Sequence, residues 1–92
     1  MIKSFRHKGL ERFFLKGIKK GIQAHHERKL KRQLAQLQAA RSPKDMAIPG
    51  WKLHSLSGEL SGHWAVWVDQ NWRLTFIFED GDATLADYQD YH

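Results

Sequence analysis

WAVWVDQNWRLTFIFEDGDATLADYQDYH, residues 64–92, is the stretch that decides the fold. Large apolar side chains recur at every second position: Trp64, Val66 and Val68 in one run, then Trp72, Leu74, Phe76 and Phe78 in the next. Extended chain sends successive side chains to opposite sides, so a period of two marks strands with one buried face. Between Phe78 and Ala83 stands Asp80-Gly81. A two-residue type I′ turn needs positive φ at both central positions, and this dipeptide supplies it. The stretch is therefore predicted to form antiparallel strands, the last running from about Asp82 to Tyr91.

Upstream the period changes to that of a helix. Leu10, Phe13, Phe14 and Ile18 share one helical face, with Lys8, Arg12, Lys16 and Lys19 mostly away from it. Gly17 and Gly21 are expected to end this helix. Residues 24–41 predict a longer one, with Leu30, Leu34 and Leu37 on its apolar side and Glu27 and Lys31 as an i, i+4 pair. Ser42-Pro43 stops it, and Pro49-Gly50 punctuates the following loop. Met1–Arg6 alternates around Ile2 and Phe5 and reads as a short strand. The predicted order is βααβββ, an α+β fold with two N-terminal helices packed on one face of a small antiparallel-rich sheet. At 92 residues, the chain is expected to be one domain, 1–92, around one modest core.

Composition narrows the function classes. With no cysteine, a disulfide framework and a thiolate metal site are excluded. Met1–Arg12 has no run apolar enough for a signal peptide, and nothing approaches the roughly 20 apolar residues of a membrane span. A cytoplasmic protein without a membrane partner is the expectation. Charge is unevenly placed. Residues 1–41 carry twelve Lys/Arg against two acids, whereas residues 42–92 carry three against eight. A basic excess on the helices fits a polyanion such as RNA, a docking face for an acidic protein, or simply a solvated helix surface.

Counting outward from Asp80-Gly81 in an ideal hairpin, Glu79 opposes Asp82, Ile77 opposes Thr84, Thr75 opposes Ala86 and Arg73 opposes Tyr88. Arg73, Tyr88, Asp90 and His92 are then expected on one face, opposite the Trp72–Phe78 row that the helices cover. Tyr91 falls off Arg73's face unless the strand end twists or the register slips. Arginine, histidine and aspartate on a helix-free sheet face suit phosphodiester chemistry. A guanidinium holds phosphate through a fork of hydrogen bonds, and an imidazole moves protons near neutral pH. Taken singly, a strand arginine is more often an ion-pair partner. The remaining histidines promise less. His25 and His26 are adjacent and expected to diverge, and His7 and His63 lack partners at ligand spacing. No phosphate loop, HExxH or nucleophile elbow is present, so no metal or other cofactor is expected. Trp64 and Trp72 read as core, while Trp51 and Trp67 remain candidates for stacking on bases.

Several segments resemble the HigB toxin family of the RelE superfamily. They are Met1–Leu10 (MIKSFRHKGL), Lys52–Gly58 (KLHSLSG), Asn71–Phe76 (NWRLTF) and Asp87–His92 (DYQDYH). The resemblance covers essentially the whole chain, and its most specific parts are Asn-Trp-Arg and Asp-Tyr-His. It implies a RelE-like fold and a metal-independent endoribonuclease that enters the ribosomal A site and cleaves mRNA. It also implies a helix-turn-helix antitoxin of the HigA type, through which the pair would reach operator DNA. On the same resemblance Arg73 would meet the scissile phosphate. His54, Asp90 and His92 are the candidates for proton transfer and orientation, and Tyr91 and Asn71 would hold or stack on the base. The family often has lysine where this chain has Ser57, and Lys52 is the nearby cation that would substitute. Arg28, Lys29 and Arg32 would dock on ribosomal RNA phosphates. Two alternatives stay open: an RNA- or ribosome-binding inhibitor that does not cut, and a toxin homologue that only pairs with its antitoxin.

Overall fold

The computed structural model describes residues 1–91, and its elements follow the sequence patterns closely. Helix α1 spans Lys8–Lys16 and α2 spans Glu27–Ala39; strands β1 His54–Ser55, β2 Trp64–Trp67, β3 Trp72–Glu79 and β4 Asp82–Asp90 follow. The strands form one sheet in the order β1-β2-β3-β4, antiparallel at every step. The core lies between this sheet and the helices. Leu10 and Phe13 of α1 and Leu30, Leu34 and Leu37 of α2 cluster with Val66, Leu74, Phe76 and Tyr88. The α+β class is therefore as expected.

Three local differences have physical causes. First, α1 opens on His7, whose Nδ1 accepts the Leu10 N–H at 2.9 Å, and closes on Gly17 in a left-handed conformation at φ 71°. Ile18, expected on the helix face, thus lies beyond the helix and is exposed. Second, Ala24–His26 forms a 3-10 turn before α2, and Glu27 pairs with Lys19 at 3.3 Å. Third, Met1–Arg6 lies beside β4 in parallel but meets it at isolated bridges, Ile2 with Ala83 and Phe5 with Ala86. The ladder is interrupted there because Leu85 takes a positive φ of 52°, and its N–H turns to Ser4 Oγ at 2.9 Å. The two-residue β1 was not foreseen in the sequence, being too short to show an alternation.

The β3–β4 turn has the expected type, with φ 52° at Asp80 and 82° at Gly81. A side chain at a left-handed position costs about 1–2 kcal/mol. Gly81→Ala is therefore expected to destabilise the chain by about that amount, read as a lower urea midpoint at unchanged m-value.

Beside the turn the register is also as expected: Glu79 opposes Asp82 and Ile77 opposes Thr84. Between Ile77 and Thr75 it shifts by one residue, so that Thr75 opposes Asp87, Leu74 opposes Tyr88, Arg73 opposes Gln89 and Trp72 opposes Asp90. One extra residue in β4, with Leu85 left-handed, is a bulge, and a bulge reverses the facing of every side chain beyond it.

Candidate active site

The bulge rearranges the face on which the site was expected. Tyr88, placed beside Arg73 by the ideal register, turns into the core instead. It is 3% exposed and stacks on Trp72 with ring centroids 4.4 Å apart. Asp90 opposes Trp72 and so belongs to that same face, not to Arg73's. His92, the remaining member of the expected group, lies outside the described residues. What shares Arg73's face is Trp67 and Gln89 in its own row, and His54, Ala65, Thr75 and Asp87 in the next. Tyr91 joins them, because the slip brings odd-numbered residues of the strand end to this side.

Arg73 is the fixed point of the cluster. Its guanidinium carbon lies 4.2 Å from the Trp67 ring centroid and 5.1 Å from that of Tyr91. Nη1 donates to the carbonyls of Asp69 at 2.8 Å and Trp72 at 3.2 Å. The residue is only 8% exposed, and its Nε is buried with no acceptor among the described residues. An arginine stacked between aromatic rings is held in one orientation with little side-chain freedom left to lose. A buried charged donor without an acceptor is costly unless something completes it.

Two further groups belong to this side of the sheet, one of them over the same tryptophan. Lys52 places Nζ 3.9 Å from the Trp67 ring centroid, from a backbone held at φ 53°, which is uncommon for lysine. The Lys52 carbonyl accepts a hydrogen bond from His54 Nδ1 at 2.8 Å. A carbonyl only accepts, so Nδ1 carries the proton, and the neutral ring presents Nε2 as a lone-pair base. Tyr91 is anchored by its backbone, its N–H donating to the Asn71 carbonyl. Asn71 thus extends the ladder by one residue and places the Tyr91 ring. Ser57 is exposed in the loop after β1, before a 3-10 turn over Gly58–Leu60.

Asp69 holds the turn that carries Arg73. Its Oδ1 accepts the N–H groups of Asn71 at 2.8 Å and Trp72 at 2.9 Å. Partial burial pushes its carboxyl up. The hydrogen bonds from His26, Asn71 and Trp72 outweigh that and hold it down at about 2. Tyr88 is pushed up, first by burial and then by the charges of Asp69 and Asp90, against the Gln23 N–H that it accepts. Gln33 of α2, fully buried, donates to the Trp67 carbonyl at 2.8 Å and so ties the tryptophan's strand to the helix layer.

Sequence reasoning left Trp67 open and did not single out Asp69 or Gln33. A signal existed for Trp67, since it falls out of step with Trp64, Val66 and Val68 and so faces away from the helices. Trp51, its companion candidate, is core, with its carbonyl receiving the Trp67 N–H at 2.7 Å. The basic residues expected to dock on RNA lie on α2, where Arg28 and Arg32 are exposed and Lys29 is half-buried. A cleft of about 760 Å³ between the helices is lined by Phe13, Phe14, Leu34, Arg28 and Lys31, and none of the predicted catalytic residues borders it. No helix among the described residues is long and apolar enough to cross a membrane.

The arrangement can bind an anion at a desolvated, oriented guanidinium, with an ammonium and a basic imidazole nitrogen on the same face. The chain is similar to known proteins over its whole length. Residues 3–92 match the family model for the RelE-like toxin of the type II toxin–antitoxin system HigB. "Endoribonuclease HigB" of Proteus vulgaris is 40% identical over 92 residues, which is 100% of both chains. Among solved structures, YafQ of E. coli strain BL21(DE3) superposes with a TM-score of 0.66 at 18% identity, covering 98% of this chain and 91% of that one. A histidine-to-glutamine mutant of E. coli YafQ gives 0.61 with the same identity and coverage. At that identity the likeness concerns the fold alone.

Proposed function

The chain belongs to the HigB-like family of RelE-like toxins of type II toxin–antitoxin systems, and on that premise we propose that it is an endoribonuclease that cleaves mRNA in the ribosomal A site and so arrests translation. The observation that carries the reading is the Arg73 guanidinium, clamped by Trp67 and Tyr91 and left with a buried Nε that has no acceptor among the described residues. A phosphate oxygen is the group that would complete it.

The RNA supplies its own nucleophile, the 2′-hydroxyl next to the scissile phosphate. His54 Nε2 takes that proton as the oxygen attacks phosphorus. The P–O5′ bond breaks, and the products are a 2′,3′-cyclic phosphate and a 5′-hydroxyl. Charge building on the phosphoryl oxygens is met by Arg73, with Lys52 supplying the second cation that Ser57 does not. His92 is the candidate for protonating the leaving oxygen, and Asp90, on the Trp72 face of the sheet, takes no part at the phosphate. Tyr91 offers its ring to the base, on a backbone fixed by Asn71. Much of the acceleration then comes from holding the RNA in line, for which the ribosome is the larger part of the template.

A HigA-type helix-turn-helix antitoxin is the expected partner, and operator DNA would be contacted through it alone. Both the ribosome and this partner would be met in the cytoplasm, the proposed location of the chain. The test is induced expression followed by primer extension on a reporter mRNA. New 5′ ends in register with codons support the reading. Arrest without new ends, which Ser57 would favour, means ribosome binding without cutting. Normal growth leaves only the antitoxin-pairing role.

The basic face of α2 is read as the ribosome-docking element. Reversing Arg28, Lys29 and Arg32 to glutamate is expected to weaken ribosome co-sedimentation at least tenfold and to reduce the slope of log affinity against log salt by about 3, one per lost phosphate contact. Circular dichroism should be unchanged, since none of the three is fully buried.

A further inference from the structure

Beside the turn that carries Arg73, three side chains meet in a way the sequence did not promise. His25 and His26, expected to diverge, sit on the 3-10 turn Ala24–His26 with ring centroids 4.1 Å apart. Both aim Nε2 at one oxygen. His26 Nε2 is 2.6 Å and His25 Nε2 is 3.6 Å from Asp69 Oδ2, and the three donor atoms all lie within 4.8 Å of one another.

The surroundings hold these donors in place. His26 is 2% exposed, and its other ring nitrogen, Nδ1, is hydrogen-bonded to the Tyr88 hydroxyl. The Tyr88 oxygen is itself held by the Gln23 N–H and by stacking on Trp72. Asp69 spends Oδ1 on the N–H groups of Asn71 and Trp72, which leaves Oδ2 directed at the imidazoles. A hydrogen bond to the remote ring nitrogen and a carboxylate fixed through its second oxygen are what metal ligands ordinarily have around them. On the solvent side, the His25 side chain is 69% exposed, so water can reach a further coordination position.

We propose that His25 Nε2, His26 Nε2 and Asp69 Oδ2 form a binding site for a divalent transition-metal ion of the zinc class, apart from the Arg73 centre. Two imidazoles and one carboxylate, with no thiolate, are a donor set that zinc accepts. Zinc ligands near 2.0–2.1 Å in a tetrahedron are separated by about 3.3 Å. The 2.6 Å contact must therefore open by less than 1 Å, and the exposed His25 ring has the freedom to follow. The ion enters between His26 Nε2 and Asp69 Oδ2, and the neutral His26 ring then carries its proton on Nδ1, donated to the Tyr88 oxygen. Its effect reaches the site through Asp69, whose carbonyl accepts from Arg73 Nη1 at 2.8 Å. Occupation would pin the β2–β3 turn to the start of α2 and hold the arginine's anchor still.

The proposal is independent of the cleavage reading and is tested on the tag-free full-length chain, freed of its antitoxin, by calorimetric titration with zinc chloride. One ion per chain is expected, with His25→Ala weakening it at least tenfold and His54→Ala leaving it unchanged. His25 is exposed, so the His25→Ala chain should keep the wild-type melting temperature without metal. At zinc one hundred times its Kd, the wild type should melt at least about 10 °C higher and the His25→Ala chain should not. Cobalt(II) in place of zinc should give the visible absorption of a four-coordinate site, lost in Asp69→Asn. No saturable zinc binding, or binding that His25→Ala leaves intact, overturns the proposal.

Discussion

Arg73→Ala is expected to lower the proposed cleavage of ribosome-bound mRNA by about 10²–10³-fold, the size of effect seen when one oriented donor to a developing oxyanion is removed. The expectation rests on preorganisation. Trp67 and Tyr91 flank the guanidinium, and the carbonyls of Asp69 and Trp72 fix Nη1, so the donors are aimed before substrate arrives. Arg73→Lys should restore little. An ammonium has neither the planar fork nor the flat faces that lie against two rings, and the anchoring carbonyls would compete for its donors. Single-turnover cleavage of mRNA on programmed ribosomes measures the loss, and thermal denaturation of the same proteins separates it from unfolding. A folded Arg73→Ala chain that retains a tenth of the wild-type rate would remove Arg73 from the chemistry.

Phe76→Ala is expected to destabilise the chain by about 3–5 kcal/mol, the usual cost of truncating a buried aromatic ring. Phe76 is fully buried at the centre of β3, its ring edge-on to that of Phe78 at 5.7 Å. It sits where the sheet meets Leu30, Leu34 and Leu37, and no small shift fills the space it would leave. Domains of this kind have only about 5–15 kcal/mol in total. At about 4–8 °C per kcal/mol, the melting temperature should fall by at least 12 °C. Phe78→Ala, at a half-buried position beside the turn, should cost clearly less. Equal losses in urea denaturation would show that the core is not centred on Phe76.

Arg73 and Tyr91 show how far the sequence reaches into the site. Arg73 was legible because it breaks an apolar alternation at a position facing away from Leu74 and Phe76, and a resemblance to a known family pointed to the same residue. Tyr91 was recognisable only as a family residue, and an ideal strand put it on the wrong side. Tyr88 and Asp90 were placed beside Arg73 for the same reason and do not belong there. His25 and His26 were set aside because neighbours on a regular helix point apart. The 3-10 turn that brings their rings together depends on Asp69 and Tyr88, which are 43 and 62 residues from His26 along the chain.

By itself, the sequence determined the α+β class, the two amphipathic helices, the Asp80-Gly81 turn and the register nearest to it. All of these follow from local periodicity and from the φ values that particular residues tolerate. Which face each side chain of the strand end presents was decided by the tertiary structure. Facing in a strand is a matter of parity, and a single left-handed residue, Leu85, inverts it for everything downstream. That residue is held by Ser4 Oγ, 81 positions away, so the contact that sets the parity exists only once the N-terminal segment has docked beside β4.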